Sequence, residues 1–137
     1  MNSSQPARTH AQAKITVHRS HSQPCDEGTG PVLNEIRLEE TFAGDLEGES
    51  TVHAWQMLRA DKSASMVSLQ RFNGKVAGRS GSFVLQGTER VEAGKITATW
   101  FVVPGSGTGD LTGIRGEGGF EGQFGQGSTG TLEYWFE

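Results

Sequence analysis

Glycine restricts the possible folds of this chain more than any other residue type. Of 137 residues, 20 are glycine, about twice the usual share, and eleven of these follow Pro104. Glycine weakens helices, whereas tight corners and strongly coiled strands require it. The same glycine-rich part carries five aromatic residues, Phe120, Phe124, Tyr134, Trp135 and Phe136. These aromatic residues favour a packed sheet over disorder, so we predict an all-β fold.

Alternation of apolar and polar residues supports the same conclusion. In residues 95–103, for example, Ile96, Ala98 and Trp100 alternate with Thr97 and Thr99, and no segment shows a helical period of 3.6 residues. Turn residues separate such segments at a spacing typical of barrels. The predicted strands are residues 11–22, 32–42, 49–59, 64–72, 75–86, 95–103, 111–124 and 128–136.

The dipeptide Asn73-Gly74 is the strongest local turn signal in the sequence. Both residues tolerate positive φ, which a two-residue type I′ hairpin turn requires at both positions. We therefore predict a hairpin turn at residues 73–74. Further turns are expected at Gly44–Gly48, Asp61–Ser63 and Glu92–Gly94.

Eight strands joined by hairpin-like connections predict a closed eight-stranded antiparallel meander barrel. Closure removes the exposed sheet edges that promote aggregation, and the interior of such a barrel holds side chains or one small ligand. A β-sandwich is the alternative, but no connection looks like a long crossover. We predict a single barrel domain over residues 11–137, preceded by a disordered tail over residues 1–10.

Composition argues against several classes of partner. The net charge is -4 and the basic residues are scattered, whereas nucleic-acid binding requires clustered Lys and Arg. No window approaches the roughly 20 apolar residues of a membrane-spanning helix. The polar N-terminus lacks a secretory signal, and Cys25 is the single cysteine. We expect a soluble cytoplasmic protein that binds neither nucleic acid nor membrane.

Motifs for cofactors and metals fail on their context. Gly125-x-Gly127-x-x-Gly130 matches the dinucleotide pattern but precedes a strand rather than a helix, and Gly105–Gly109 lacks the Gly-Lys-Ser/Thr of a phosphate loop. His18 and His21 face opposite sides of a predicted strand. We predict no metal site and no cofactor. Nothing in the sequence activates Cys25 as a nucleophile.

Several predicted strands place polar residues on an apolar face. Glu40 shares its parity with Ile36 and Leu38, and Gln70 shares its parity with Met66 and Phe72. In the same way, Gln56 lies on the same strand face as Val52, and Tyr134 lies on the same strand face as Leu132. If these faces point inward, the lumen is apolar with a few polar groups, which is typical of a small-molecule site. Alternatively, these groups lie at a wet barrel mouth or pair with one another.

Four glycine-containing stretches resemble the family called domain of unknown function 3224. They are TFAGDLEG (41–48), GRSGSFVLQ (78–86), VPGSGTGDL (103–111) and GIRGEG (113–118). The resemblance extends over about residues 11–137. It implies the closed eight-stranded barrel of allene oxide cyclases and plant dirigent proteins, and it implies no particular reaction. Relatives tend to carry Glu at the position of Gln70 and His at that of Gly87, which makes both positions pocket candidates.

Two functional hypotheses follow, together with a third that involves no ligand. In the first, the lumen binds a small hydrophobic or aromatic molecule. The candidate ligand-binding residues are Gln70, Trp100, Tyr134, Gln56, Glu40, Met66 and Phe72. In the second, the barrel is a cyclase or isomerase whose catalytic residues are unknown, with Glu40 as a carboxylate that stabilises positive charge. In the third, the barrel is an oligomeric structural protein.

Two predicted strands carry apolar residues on both faces. Trp55 and Met57 lie on one of them, and Phe101 and Val103 lie on the other. One face of each strand must point away from the lumen. We therefore expect an outer apolar face that is buried in a homo-oligomer.

Overall fold

The protein, seen in a computed structural model, is a closed barrel of eight antiparallel strands in meander order. The structure describes residues 7–25, 28, 30–123 and 127–137. The strands are β1 (Thr9–Pro24), β2 (Val32–Gly44), β3 (Leu46–Leu58), β4 (Ala64–Val76), β5 (Arg79–Glu92), β6 (Lys95–Val102), β7 (Ile114–Gln123) and β8 (Ser128–Phe136). The predicted all-β barrel is thus confirmed. Residues 1–6 of the expected N-terminal tail lie outside the described residues.

Closure of the barrel depends on β1, which pairs with both β2 and β8. Thr9 lies opposite Tyr134, and Ile15 lies opposite Ser128. A bulge between Val17 and Arg19 then shifts the register of β1 against β2. From there to Pro24, β1 pairs with β2 alone among the described residues. Within the described ranges, this part of β1 therefore has a free edge beside one mouth of the barrel.

The predicted turn at Asn73-Gly74 is wrong. Both residues continue β4, where Gly74 pairs with Gly48 on one side and Gly81 on the other. A Cβ at Gly74 would lie 2.7 Å from Gly48 Cα, so this glycine serves a close approach of two backbones. The hairpin turn lies at Ala77 and Gly78, whose φ angles are +49° and +86°.

Other boundaries differ by a few residues. The turn expected at Gly44–Gly48 reduces to Asp45 between β2 and β3. The turn at Ala93-Gly94 is confirmed, but β5 reaches Glu92 rather than ending at Gln86. The expected seventh strand began at Leu111, which instead lies in a single 3₁₀ turn, Gly109–Leu111. Phe124, its expected end, and Gly125 of the dinucleotide-like pattern lie outside the described residues.

One end of the barrel is filled by a hydrophobic core, and we call it the closed end. The turns at Asp45 and Ala77-Gly78 and the loop 103–113 lie there. Phe72 is fully buried, with ring centroids 5.3 Å from Phe42 and 5.1 Å from Phe83. Leu111 of the loop is fully buried in the same core. The closed end is therefore plugged by side chains.

Loop 103–113 extends the sheet beside β5 after β6 has ended. The Ser106 hydroxyl accepts a hydrogen bond from the Val84 N–H at 3.0 Å and donates one to the Val103 carbonyl at 2.7 Å. The Thr108 hydroxyl accepts one from the Ser82 N–H at 3.1 Å. These hydroxyls satisfy backbone groups that would otherwise lack a strand partner.

The opposite end, which we call the open end, carries the turns at residues 59–63 and 93–94. Several inward-facing side chains there are only half-buried, namely Ile36, Leu38, Glu40, Gln56, Met66, Ile96 and Phe120. No helix among the described residues has the length and apolar character needed to cross a bilayer.

Candidate functional site

A cavity of about 50 Å³ occupies the lumen toward the open end. Its lining is mostly apolar with a polar minority on β2, β4 and β5, and comprises Ile36, Leu38, Glu40, Val52, Ala54, Met66, Ser68, Gln70, Glu89, Ile96 and Phe120. Strand alternation places these side chains together, because every second residue of each strand faces inward. The volume suffices for a few water molecules or one small chemical group.

Glu40 is one of two carboxyl groups in this cavity. Its Oε1 accepts hydrogen bonds from Gln70 Nε2 at 2.7 Å and from Ser50 Oγ at 3.5 Å. Burial raises the pKa of Glu40 to about 7, although the bonds from Gln70 and Ser50 oppose this shift. The charge of Glu89 also raises the pKa. Glu40 can therefore gain or lose a proton near neutral pH.

Glu89 is the second carboxyl group, and it is only 6% exposed. Its Oε2 accepts a hydrogen bond from Ser68 Oγ at 2.6 Å, while its Oε1 is buried and has no hydrogen-bond partner among the residues that the structure describes. Burial raises the pKa of Glu89, partly offset by the Ser68 bond. Glu89 therefore presents an unsatisfied acceptor inside the barrel, which is costly unless something binds it.

Gly87 makes room for this carboxyl group. Gly87 lies opposite Ser68 of β4 in the strand register. A Cβ at position 87 would clash with Glu89 Oε2 and would lie 2.9 Å from Ser68 Oγ. The glycine thus lets the hydrogen bond between Ser68 and Glu89 form at the lumen wall.

No basic side chain of the described residues neutralises the two carboxyl groups. All twelve Lys and Arg residues are exposed or half-buried, and none of them lines the cavity. Buried carboxylates are normally paired with a cation or become protonated. Without a ligand, the two carboxyl groups in this lumen are therefore neutralised by protonation.

The structure separates the predicted ligand-binding residues into two groups. Gln70, Glu40 and Met66 line the cavity, and Gln56 lies next to it, where its Oε1 accepts a 2.9 Å hydrogen bond from Asn34 Nδ2. The other three are packed in the core of the barrel, namely Phe72, Trp100 and Tyr134. Trp100 Nε1 donates to the Thr131 carbonyl at 2.9 Å, so its polar atom is already satisfied within the wall.

Glu89 was missed by the sequence-based prediction, because the fifth strand was expected to end at Gln86. The run Gly87-Thr88-Glu89-Arg90 looks polar and loop-like. The alternation of residues carried the missing signal, because Phe83, Leu85 and Val91 all lie on one face of a strand that continues to position 91. A strand extended to Val91 places Glu89 on the apolar face.

The open end has an extended wall on the β1 side. Val17, Ser20 and Ser22 pair with Glu40, Leu38 and Ile36, respectively. Directly paired residues of neighbouring strands point to the same side of the sheet. These three side chains therefore continue the inner surface outward from the cavity, and Val17 is 47% exposed.

Larger depressions lie on the outer surface of the barrel. One of about 550 Å³ is lined by residues such as Glu49, His53 and Arg71. The side chains of these three residues are exposed at outward-facing positions. Within the described part of the chain, the buried side-chain atom that lacks a partner is Glu89 Oε1, which does not line this depression. Within the described residues, no group of three or more His, Cys, Asp or Glu could hold a metal ion.

Comparisons with known proteins agree with this architecture. A family model described as protein of unknown function (DUF3224) matches residues 11–137. A solved protein of unknown function from the DUF3224 family of Shewanella oneidensis MR-1 is 30% identical with a TM-score of 0.77, and the match covers 95% of this chain and 98% of that one. No curated protein matches. The family resemblance is thus confirmed, and eight-strand closure is consistent with an allene oxide cyclase type of barrel.

Proposed function

Because the chain belongs to the DUF3224 family of proteins of unknown function, we propose its function from the lumen: it binds a small apolar molecule at the open end. The single observation that carries this proposal is Oε1 of Glu89, which is buried without a partner among the described residues and lies in a mostly apolar cavity. Apolar walls with a few convergent polar groups are the usual composition of a small-molecule site. Glu89, Glu40 and Gln70 orient the ligand.

The volume of the cavity limits how much of the ligand enters it. Ligand pockets usually measure about 300–1,000 Å³, whereas this cavity measures about 50 Å³. One polar group fits inside, and the apolar remainder lies at the mouth against Leu38, Phe120 and the exposed Val17. Trp100 and Tyr134 support the wall from the core rather than contacting the ligand.

The test is native mass spectrometry of the protein purified from its own host, followed by titration with the neutral probe N-phenyl-1-naphthylamine. We expect a co-purifying small molecule or saturable probe binding. Ala54→Leu narrows the cavity and should weaken binding, whereas the matched variant Ala43→Leu lies on the exposed outer face and should not. If no adduct appears and the probe does not bind, the proposed binding in the lumen is wrong, and the hypothesis of a structural protein without a ligand is favoured.

A second candidate function is an isomerase or cyclase acting on the same kind of molecule. The observation that favours it is the pKa of Glu40, raised by burial to about 7, because a general acid or base works best near the operating pH. The recovered ligand would be incubated with the protein in D₂O. Deuterium uptake that is lost in Glu40→Gln supports an enzyme, and unchanged ligand with no uptake supports binding alone.

The outer surface supports a further part of this proposal, a homo-oligomer. We define the outer apolar patch as Leu33, Trp55, Val67, Leu69 and Phe101, all exposed, with Trp55 at 56% and Val67 at 55%. Trp55 pairs with Val67, which lies two residues from Leu69 on the same face of β4, so the patch is continuous across β3 and β4. Gln86 of β5 lies between Leu69 and Phe101. Contiguous exposed apolar surface marks an interaction site.

The partner we propose for this patch is a second copy of the chain. Its surroundings carry both signs of charge, with Glu35 next to Arg37 on β2 and Arg90 on β5. A mixed rim can pair with its own copy across a two-fold axis. Light scattering after size-exclusion chromatography should give a dimer or larger species at micromolar concentration. Val67→Glu should reduce the fraction of protein in that species. Thr129→Glu, at an exposed position of β8 away from the patch, is the control. A monomeric wild-type protein contradicts the proposal.

A further inference from the structure

The two carboxyl groups of the lumen lack a counter-charge. Glu89 and Glu40 line one cavity, and the Coulomb interaction between them is repulsive when both are ionised. None of the described Lys or Arg side chains lines that cavity. A protein that only needed a filled barrel would place apolar side chains here, since an unpaired buried acid is destabilising.

We propose that the ligand of the lumen is a small apolar amine, whose protonated ammonium group inserts between Glu89 and Glu40. This inference rests on the proposed lumen binding and names the chemical class of its ligand. Glu89 Oε1 is the first acceptor, because it is buried and has no hydrogen-bond partner within the described part of the chain. An ammonium group has three N–H donors and no acceptor, so it can satisfy Glu89 while its charge also compensates Glu40.

The hydrogen bonds already present leave room for this group. Ser68 donates to one oxygen of Glu89 and Gln70 donates to one oxygen of Glu40. Each bond fixes its carboxyl group in the lumen wall without neutralising its charge. The lumen therefore supplies two positioned anionic groups within an apolar lining.

The remainder of the site suits a hydrocarbon chain. Leu38, Ile96 and Phe120 line the cavity, and each is half-buried. A cavity of about 50 Å³ takes the ammonium group and little more. The alkyl chain then lies along these three side chains and removes apolar surface from water.

A neutral hydroxyl ligand satisfies the geometry less well. An alcohol can donate one hydrogen bond to Glu89 Oε1, but it leaves the charge of both carboxylates uncompensated. Without a ligand, bound protons neutralise the two carboxyl groups, because burial raises the pKa of both. Binding of an ammonium ion therefore displaces protons, and binding of an alcohol does not.

Isothermal titration calorimetry with three six-carbon probes tests the inference: n-hexylammonium, 1-hexanol and hexanoate. We expect n-hexylammonium to bind more tightly than 1-hexanol by roughly 10- to 100-fold, the range for a hydrogen bond to a charged group. Hexanoate should bind more weakly than either. In two buffers of different ionisation enthalpy, n-hexylammonium binding should release a fraction of a proton, and its affinity should rise between about pH 6 and pH 8.

The variant Glu89→Gln removes the charge and keeps the shape of the side chain. It should weaken n-hexylammonium binding by about tenfold or more and leave 1-hexanol binding nearly unchanged. Glu47→Gln, on the exposed outer face of β3, removes the same charge elsewhere and should leave both affinities unchanged. A general electrostatic effect of net charge would weaken n-hexylammonium binding equally in the two variants, and that result contradicts the inference.

The outcomes separate this inference from the proposed function. If 1-hexanol binds as tightly as n-hexylammonium, and Ala54→Leu weakens both, the lumen binds ligands but the inference about the amine is wrong. If no probe binds and native mass spectrometry shows no adduct, both are wrong. Preference for the ammonium probe, together with proton release that decreases in Glu89→Gln, supports both.

Discussion

The two ends of this barrel are built from the same strands and have opposite chemistry. β4 contributes the fully buried Phe72 toward the closed end and the polar Ser68 and half-buried Met66 toward the open end. β5 likewise contributes Phe83 to the closed end and Glu89 to the open end. The difference teaches that the hydrophobic core and the polar cavity are separated along the barrel axis, and not between one strand and another.

The closed end compensates for the destabilising groups of the open end. Its aromatic rings contact each other with centroids 5.1–5.3 Å apart around Phe72, and Leu111 seals it. The open end instead holds two acids that burial destabilises in their charged form. Such an arrangement is expected where a site requires acidic groups that are unfavourable in a hydrophobic core.

The largest effect that would test this comparison is a truncation at the closed end. Phe72→Ala leaves a cavity among Phe42, Phe83 and their neighbours, and should lower the free energy of unfolding by about 3–5 kcal/mol. Met66→Ala at the open end should lower it by only about 1 kcal/mol, because Met66 is half-buried. Urea denaturation measures both. Equal losses would mean that the two ends share the stability evenly.

Much of this fold could be predicted because strand alternation is strict. Ile36, Leu38 and Glu40 face inward as their parity indicates, and β8 has the predicted bounds, Ser128–Phe136. The turn after β4 could not be predicted, because Ala77 adopts a positive φ of +49° that its residue type does not favour. Asn73-Gly74 misled the prediction because tertiary contact with Gly48, not turn formation, requires that glycine.

The candidate site was predictable only in part, for a physical reason. Parity identifies the inward face but not the position along the barrel axis. Gln70 and Trp100 both point inward, yet one lines the cavity and the other packs in the core. That distinction depends on strand stagger and on how loop 103–113 plugs one end. Neither is encoded in a local pattern of residues.

A second, smaller effect concerns the pH dependence of stability at the open end. The pKa of the Glu40 carboxyl rises from 4.5 to about 7 on folding. Between these values the unfolded chain loses a proton that the folded barrel retains, so the free energy of unfolding falls as pH rises. The contribution of Glu40 to this fall is at most about 3 kcal/mol, and the raised pKa of Glu89 acts in the same direction.

Glu40→Gln removes this contribution and should become more stable than the wild-type protein as pH rises from about 4.5 to about 7, with little further change above that. Denaturation at several pH values measures the difference. Glu47→Gln, exposed on the outer face, should follow the wild-type curve. If Glu40→Gln also runs parallel to the wild-type curve, the carboxyl group of Glu40 titrates normally, and the open end is not destabilised by it.

The smallest effect compares the loops at the two ends by one matched change, serine to alanine. Ser106→Ala removes an acceptor for the Val84 N–H and a donor to the Val103 carbonyl in the closed-end loop, which should lower the free energy of unfolding by about 1 kcal/mol. Ser63→Ala in the open-end turn removes a 2.7 Å hydrogen bond to exposed Asp61 and a 3.2 Å hydrogen bond from Arg59 Nη1. Water can replace both, so we expect a loss below about 0.5 kcal/mol. Thermal and urea denaturation resolve such a difference when both variants are measured against wild type together. The order of the two losses matters more than their size: because backbone groups of β5 depend on Ser106, a larger loss for Ser63→Ala would show that the closed-end loop merely covers the barrel and does not complete its sheet.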